Sequence, residues 1–246
     1  MKKLNYIGMI LFTSIFYTFN AYALVVCING NGDLIKEQRT VESFRTLVIK
    51  CSADVTFGKS GAGGVQIECD QNIMPFLYSR VVNCILTIGS DTIICPTKIN
   101  INLAADNLQA ISIDGSGRIF SELPIITDNF SIKLSGSGSI ELKSINTKDL
   151  SIEVMGSGNV YIAGTTDKYT AYMDGSGTLN TEDMLAQRAG VSLAGSGLVK
   201  VNVNERISSS INGSGMIEYQ CSTNDVNNTI TGSGIIRKKE NNPETK

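Results

Sequence analysis

Seven copies of Gly-Ser-Gly punctuate the second half of this chain, and nothing else in it restricts the fold as tightly. They begin at Gly115, Gly136, Gly156, Gly175, Gly195, Gly213 and Gly232, and end at Gly117, Gly138, Gly158, Gly177, Gly197, Gly215 and Gly234. Successive copies are 21, 20, 19, 20, 18 and 19 residues apart. A self-similar period near 20 residues is the mark of a solenoid, in which each repeat is one turn and its neighbours supply its packing.

The residues around each copy say what a turn is made of. Two and four positions before the first glycine stand pairs such as Ile113 and Ile111, Leu134 and Ile132, and Val154 and Ile152; four positions after it stand Ile119, Ile140, Val160, Leu179, Val199, Ile217 and Ile236. Polar residues such as Lys133 and Glu153 lie between them. Apolar-polar alternation is the strand period, because successive side chains point to opposite faces. Each repeat therefore predicts strand, Gly-Ser-Gly bend, strand, and a polar corner leading to the next turn. Twenty residues are too few for the usual helical crossover between parallel strands. The expected class is all-β, a parallel β-helix of about 20 residues per turn, with seven rungs forming a column about 34 Å long. Leucine-rich repeats share the period, but their leucine and asparagine pattern is missing.

The corners hold two columns of mixed charge. Eight residues before the glycine lie Asp128, Lys148, Asp167, Gln187, Glu205 and Asn224; seven before lie Asn129, Asp149, Lys168, Arg188, Arg206 and Asp225. Alternating sign predicts a solvated, self-compensating corner rather than an ion site, which needs converging oxygens.

Organisation follows from the flanks. Residues 1–23 have the form of an export signal: Lys2 and Lys3, an apolar run from Ile7, and Ala21-Tyr22-Ala23 as a small-x-small cleavage site. Residues 24–40 are expected to be a cap or lead-in, residues 41–107 a less regular β-rich part of the same domain, residues 108–237 the repeat region, and residues 238–246 a disordered tail. Strands are expected at Leu47–Cys51, Val55–Phe57, Val65–Cys69, Val81–Ile88 and Ile99–Leu103, with a turn at Ser60–Gly64. Met74-Pro75-Phe76-Leu77-Tyr78 is expected to fill core. After signal removal 19 basic residues face 23 acidic ones, which argues against nucleic acid as a partner. No later segment reaches membrane-spanning length.

All six cysteines, Cys27, Cys51, Cys69, Cys84, Cys95 and Cys221, lie beyond the signal. In an exported chain they are candidate disulfide partners, with 15 full pairings open. Cys51, Cys69 and Cys84 also fall among alternating apolar residues, where cysteine serves as a small hydrophobe.

Taken together, Phe44-Arg45-Thr46-Leu47-Val48-Ile49 and the L-x-I-x-x-x-G-S-G-x-I turns behind an export signal resemble the bacterial GIN domain, the auto-transporter adhesin head family, over residues 41–219. The resemblance implies a right-handed parallel β-helix and an exported, envelope-associated protein, in the periplasm, on the outer surface or outside the cell. It carries no catalytic motif to transfer. Six cysteines and the lack of a translocator segment depart from the pattern.

The chemistry agrees with that silence. Without histidine the Ser-His and Cys-His nucleophile systems are excluded. No metal ligand set and no cofactor motif is present. The seven corner serines read as structural, since the glycine spacing is not that of a nucleophile elbow. A polysaccharide lyase or hydrolase is the enzymatic alternative, with Asp114 and Asp174 as its carboxylates. They stand three turns apart, about 14 Å, beyond either glycosidase geometry. A non-enzymatic module, adhesin-like or a scaffold, is the primary expectation, binding an extended polysaccharide or an envelope or host protein. Tyr161 and Tyr172 fall on outward positions and are the candidate ligand contacts; Tyr169 falls inward. A structural assembly subunit is the third class.

Overall fold

The computed structural model describes residues 27–58, 64–104, 107–222 and 224–239. The expected export signal, Ser60–Gly63 of the expected turn, and the chain from Glu240 onward lie outside the described residues. Nine strands precede the repeats: β1 (Ile28–Asn29), β2 (Leu34–Arg39), β3 (Thr46–Lys50), β4 (Asp54–Gly58), β5 (Val65–Asp70), β6 (Leu77–Val82), β7 (Ile85–Ser90), β8 (Ile94–Cys95) and β9 (Ile99–Ala104). The repeats supply β10 (Ala110–Gly115), β11 (Arg118–Ser121), β12 (Ile125–Gly136), β13 (Ser139–Gly156), β14 (Asn159–Gly175), β15 (Thr178–Gly195), β16 (Leu198–Gly213), β17 (Met216–Cys221), β18 (Val226–Gly232) and β19 (Ile235–Lys238).

Every pairing among β10–β19 is parallel and joins residues about one repeat apart, which makes the molecule a parallel β-solenoid. The first glycines stack in register, Gly115 on Gly136 and so on to Gly213 on Gly232, and the seven corners bound six full turns. Residues expected inward are inward: Ile113, Leu134, Val154, Met173, Leu193 and Ile211 are at most 2% exposed. Ile230, the same position in the last turn, is 47% exposed because no described strand stacks beyond it.

The strands are longer than a strand–bend–strand reading implies, and their burial shows why. In β13 the inward residues are Ile140 and Leu142, then Ile145 and Thr147, then Leu150, Ile152 and Val154. Alternation slips where two successive residues turn outward, at Lys143-Ser144 and at Lys148-Asp149. A slip of one residue reverses the facing of everything after it, so each slip is a corner. With Gly-Ser-Gly that makes three corners and three sides per turn: a first side before the glycine, a second after it, and a third between the slips.

The Gly-Ser-Gly corner is where turns touch most closely. Gly156 has φ of +115°, and a Cβ there would lie 2.5 Å from the Gly136 carbonyl oxygen one turn below. The amides make the same contact usefully, Ser157 N–H donating to Gly136 O at 3.0 Å and Asn159 N–H to Gly138 O at 3.0 Å.

The less regular part contains two more turns. Ile49 is in register with Ile113 and Asp54 with Arg118, so Cys51-Ser52-Ala53 occupies the place of Gly115-Ser116-Gly117. The Arg118 amide donates to Ala53 O at 2.8 Å, as the Ser139 amide does to Gly117 O at 3.0 Å. Below it, β7 pairs with β3 and β9 with β4, but residues 91–98 replace the tripeptide at that corner. This first end is closed by antiparallel additions, β6 on β7 and β5 then β2 on β9, and by buried Ile73, Met74 and Leu77 around a 3₁₀ turn at Met74–Phe76.

Three expectations change. Residues 81–88 are not one strand: Asn83 (φ 51°) and Cys84 (φ 62°) form the two-residue turn of the β6–β7 hairpin. Two successive left-handed residues match the twist of the flanking strands, so Cys84 is exposed rather than on an apolar face. Of the six cysteines only Cys27 and Cys95 are bridged, with Cα atoms 5.7 Å apart; Cys51, Cys69, Cys84 and Cys221 are thiols. Lys238 belongs to the last strand and the Lys239 amide donates to Tyr219 O at 2.8 Å, so order runs into the expected tail.

Candidate functional site

The corner between the third and first sides is built by a buried threonine. Thr147 Oγ1 donates to Asp128 O at 3.0 Å and lies 3.2 Å from Asp149 O, and Thr166 Oγ1 meets Lys148 O and Lys168 O at 3.2 and 3.1 Å. Both hydroxyls satisfy backbone carbonyls that the corner would otherwise strand. Thr127, Thr147 and Thr166 stand nine residues before the glycine in three successive repeats, a signal present in the sequence and overlooked by the alternation argument.

With the backbone held from inside, the side chains on the corner point outward around a groove of about 380 Å³ spanning four turns. Buried Phe130 and Leu150 floor it. One wall steps from Asn129 to Asp149 to Lys168, in register on neighbouring turns; beside it runs a hydroxyl row, Ser131, Ser151 and Thr170. Gln109 closes the lower end. Among the described residues the side chains of these six ladder residues make no hydrogen bond or ion pair. The neighbouring column behaves as expected of a self-compensating corner, with Lys148 Nζ 2.8 Å from Asp128 Oδ1. That pair holds the Lys148 ammonium above the usual lysine range, first through its hydrogen bond to Asp128.

Tyr172 stands two residues past Thr170 on the same outward face and is 41% exposed. In register it lies between Ser192 and Glu153, the latter paired with Lys133 at 3.2 Å. Tyr161 is placed differently. It sits on the second side, its hydroxyl bonded to the Asp183 carboxylate and Lys143 Nζ 5.9 Å from its ring centroid. The Asp183 hydrogen bond, then burial, pushes its phenol up to about 12. The two tyrosines therefore occupy different sides, and only Tyr172 adjoins the groove. Tyr169 is fully buried, and burial pushes its phenol up.

The second side carries committed charge: Lys200 reaches Glu182 at 3.7 Å, Lys239 reaches Glu182 at 3.2 Å, and Arg237 pairs with Glu218. Asp114 and Asp174 share a column with Ser135 and Met155 between them, so they stay three turns apart. Among the described residues no three His, Cys, Asp or Glu converge as a metal would require, and no helix is long and apolar enough to cross a membrane. A second cavity, about 440 Å³, lies at the first end beside Phe44, Cys84 and the 76%-exposed Ile126.

Residues 43–223 match the model of the family described as "Putative auto-transporter adhesin, head GIN domain". The chain belongs to the GIN-domain family. The matched span takes in the degenerate Cys51-Ser52-Ala53 turn and six of the seven Gly-Ser-Gly corners.

Solved structures place this GIN domain among relatives of the same fold. One is described as a putative adhesin from Bacteroides fragilis, with 24% identity over 86% of this chain and 100% of that one and a TM-score of 0.81. Another, described as a putative lipid binding protein from Parabacteroides distasonis, has 23% identity, coverage of 87% and 100%, and a TM-score of 0.74. A third, described as a putative adhesin from Parabacteroides merdae, has 20% identity, coverage of 87% and 99%, and a TM-score of 0.70. No curated protein matches the chain.

Proposed function

We propose that this GIN domain is an exported, non-enzymatic recognition module that binds an extended glycan along the corner groove and first side of its solenoid. The observation that carries this is the groove itself: amide, carboxylate, ammonium and hydroxyl groups, uncommitted within the protein, repeat along one axis beside Tyr172. A polyhydroxylated chain offers donors and acceptors along its length, and an aromatic face offers a platform for its C–H surfaces. Neighbouring turns repeat at about 4.8 Å, so such a chain meets similar groups at each step. The adhesin descriptions of the family and of two relatives support surface recognition. Export is supported by the signal-like residues 1–23 and by the Cys27–Cys95 bridge, since disulfides persist in oxidising compartments.

The test presents purified residues 24–246 to immobilised envelope and host polysaccharides and scores both retention and polymer length. Retention at unchanged length is expected, abolished by Tyr172→Ala, weakened by Asn129→Ala and Asp149→Ala, and indifferent to Tyr161→Ala. Shortened polymer would overturn the non-enzymatic reading. Retention that survives the groove and Tyr172 substitutions would overturn the site.

A further inference from the structure

The corner groove stops at Gln109, and the second cavity, about 440 Å³, opens on the other side of the same residue. Register places the two on one axis. Thr46 pairs with Ile85 below and Ala110 above, so Cys84, Arg45 and Gln109 stack on successive turns beneath the Phe130 that floors the groove. Of the residues lining the cavity, only Arg45 is charged. Its backbone is fixed, the amide donating to Cys84 O at 2.9 Å and the carbonyl accepting from the Gln109 amide at 2.7 Å. Its guanidinium makes no hydrogen bond or ion pair among the described residues. Glu42 and Asp128 stand close in sequence but do not line the cavity, and Asp128 is taken by Lys148 at 2.8 Å. Neutral polar residues surround the cation, Ser43, Asn107 and Gln109, and half-buried Phe44 and the exposed Ile126 complete the wall.

An unpaired guanidinium among neutral polar groups fits an anion, and its planar fork matches the two oxygens of a carboxylate. Apolar walls lower the local dielectric and strengthen that pairing. In the groove Asp149 and Lys168 offset one another, whereas Arg45 has no counterpart in its cavity. This local positive charge stands out in a chain whose acidic residues outnumber its basic ones, 23 to 21. We propose, resting on the glycan reading of the groove, that the cavity is an acidic-sugar subsite and that the glycan is an acidic polysaccharide. Arg45 receives the carboxylate of a uronic acid unit, and the amides and hydroxyl beside it meet that unit's own hydroxyls. Lys168 lies four turns further along, about 19 Å at the strand spacing, where the same extended chain presents a later carboxylate.

Cys84 reports occupancy, because its exposed thiol lines this cavity while Cys51, Cys69 and Cys221 are half-buried or buried. The test follows iodoacetamide alkylation of Cys84 in purified residues 24–246 by peptide mass. A short oligogalacturonate or its methyl ester is added at matched low ionic strength. The acid should protect Cys84 at a concentration about tenfold below the ester, the scale of a charge-assisted hydrogen bond, and salt should shrink the difference. Arg45→Gln should abolish it with the melt unchanged, since the side chain is exposed and unpartnered. Arg45→Lys, which keeps the charge without the fork, should retain part of it. Tyr172→Ala should weaken acid and ester alike and preserve their ratio. Equal protection by acid and ester, or a preference indifferent to Arg45→Gln, would overturn the acidic subsite and leave the groove reading standing. A sulfated dextran oligomer that protects better than the galacturonate would overturn the carboxylate. No protection by either sugar, with neutral polysaccharide still retained, would confine the glycan to the groove and overturn the proposal. Protection by the acid alone, with no polysaccharide retained and no effect of Tyr172→Ala, would overturn the groove and support the anion site.

Discussion

Gly30 lies directly over the carboxylate of Asp70, in space that a side chain would need: a Cβ at residue 30 would overlap both oxygens and the carbon between them. Asp70 is itself 0% exposed, and it receives the Gly32 and Thr97 amides at 2.8 Å each and the Thr97 hydroxyl. A buried carboxylate is tolerated only when bonded in this way. The clasp ties the lead-in to the first turn, and Gly30 N–H adds a bond to Cys95 O at 2.9 Å. Gly30→Ala must displace the carboxylate, and overpacking of this kind costs about 1–3 kcal/mol. A lower urea midpoint with an unchanged slope is the expected result.

Acid should act through the same residue. The Thr97 hydroxyl, ahead of the opposing effect of burial, and then the Gly32 and Thr97 amides hold the Asp70 carboxyl below the usual range. A carboxyl depressed in the folded state stabilises above its unfolded value, near 3.9 for aspartate, and that contribution disappears as pH falls toward the folded value. Glu68 is shifted the same way, first by its bond from Asn100. Stability followed by denaturant titration should be level from about pH 7 to 5 and fall below about pH 4. The fall should be shallower in Asp70→Asn, which starts from lower stability at neutral pH.

The Cys27–Cys95 bridge closes a loop of 68 residues. Cross-linking a chain at that separation is worth roughly 4 kcal/mol in the loop-entropy account. Reduction, or Cys95→Ser, should lower the melting temperature without loss of strand signal, because the stack of turns beyond residue 107 does not depend on the bridge. A melt that ignores reductant would show that the lead-in adds nothing to the cooperative unit.

The four thiols should separate by reactivity. Burial pushes Cys51 up to about 12, with help from Cys69, and Cys69 up to about 11, while Cys69 also lies 3.4 Å from Asp70 O. Thiolate is the reactive form. Alkylation of the native protein near pH 8, read by peptide mass, should mark exposed Cys84 first and reach Cys51, Cys69 and Cys221 only with unfolding.

Within the repeats, glycine should matter at the corners and not along the sides. Gly156→Ala combines a left-handed φ, costing about 1–2 kcal/mol, with a clash against Gly136 O at 2.5 Å. Gly190, on the first side, has nothing within 4 Å of an added Cβ and no left-handed φ, so Gly190→Ala should be neutral or slightly stabilising. Calorimetric melts of the two variants make the comparison.

Ser209 takes an inward place in the sixth turn, is 3% exposed, and its Oγ has no hydrogen-bond partner among the described residues. An unmet buried hydroxyl costs about 1–3 kcal/mol. Ser209→Ala should therefore raise the urea midpoint, and a lower midpoint would reveal a partner for the hydroxyl.

Much of this architecture was legible because the repeat is local. Strand period and corner glycine recur every turn, and stacking in register requires only that they recur. The corner at Lys148-Asp149 was legible from its charged columns, whereas the one at Lys143-Ser144 was harder to read, since its slip in alternation carries no diagnostic residue. Cys51-Ser52-Ala53 was missed because that corner bends without a positive φ and so does without glycine, leaving the expected signature gone while the apolar frame, Leu47, Ile49 and Val55, remained. The site was legible in pieces. Tyr172 and the Asn129–Asp149–Lys168 column were each visible, but that they adjoin, and that Tyr161 is tied to Asp183 on another side, depends on where the corners fall.

The sequence by itself determined the turn, its period and its inward face, because these follow from residues within about 20 positions of one another. Only the tertiary structure decided which cysteines meet, where the corner after the second side falls, and that antiparallel strands close the first end of the stack. Those outcomes depend on residues from different turns, and on strand partners that the sequence does not name.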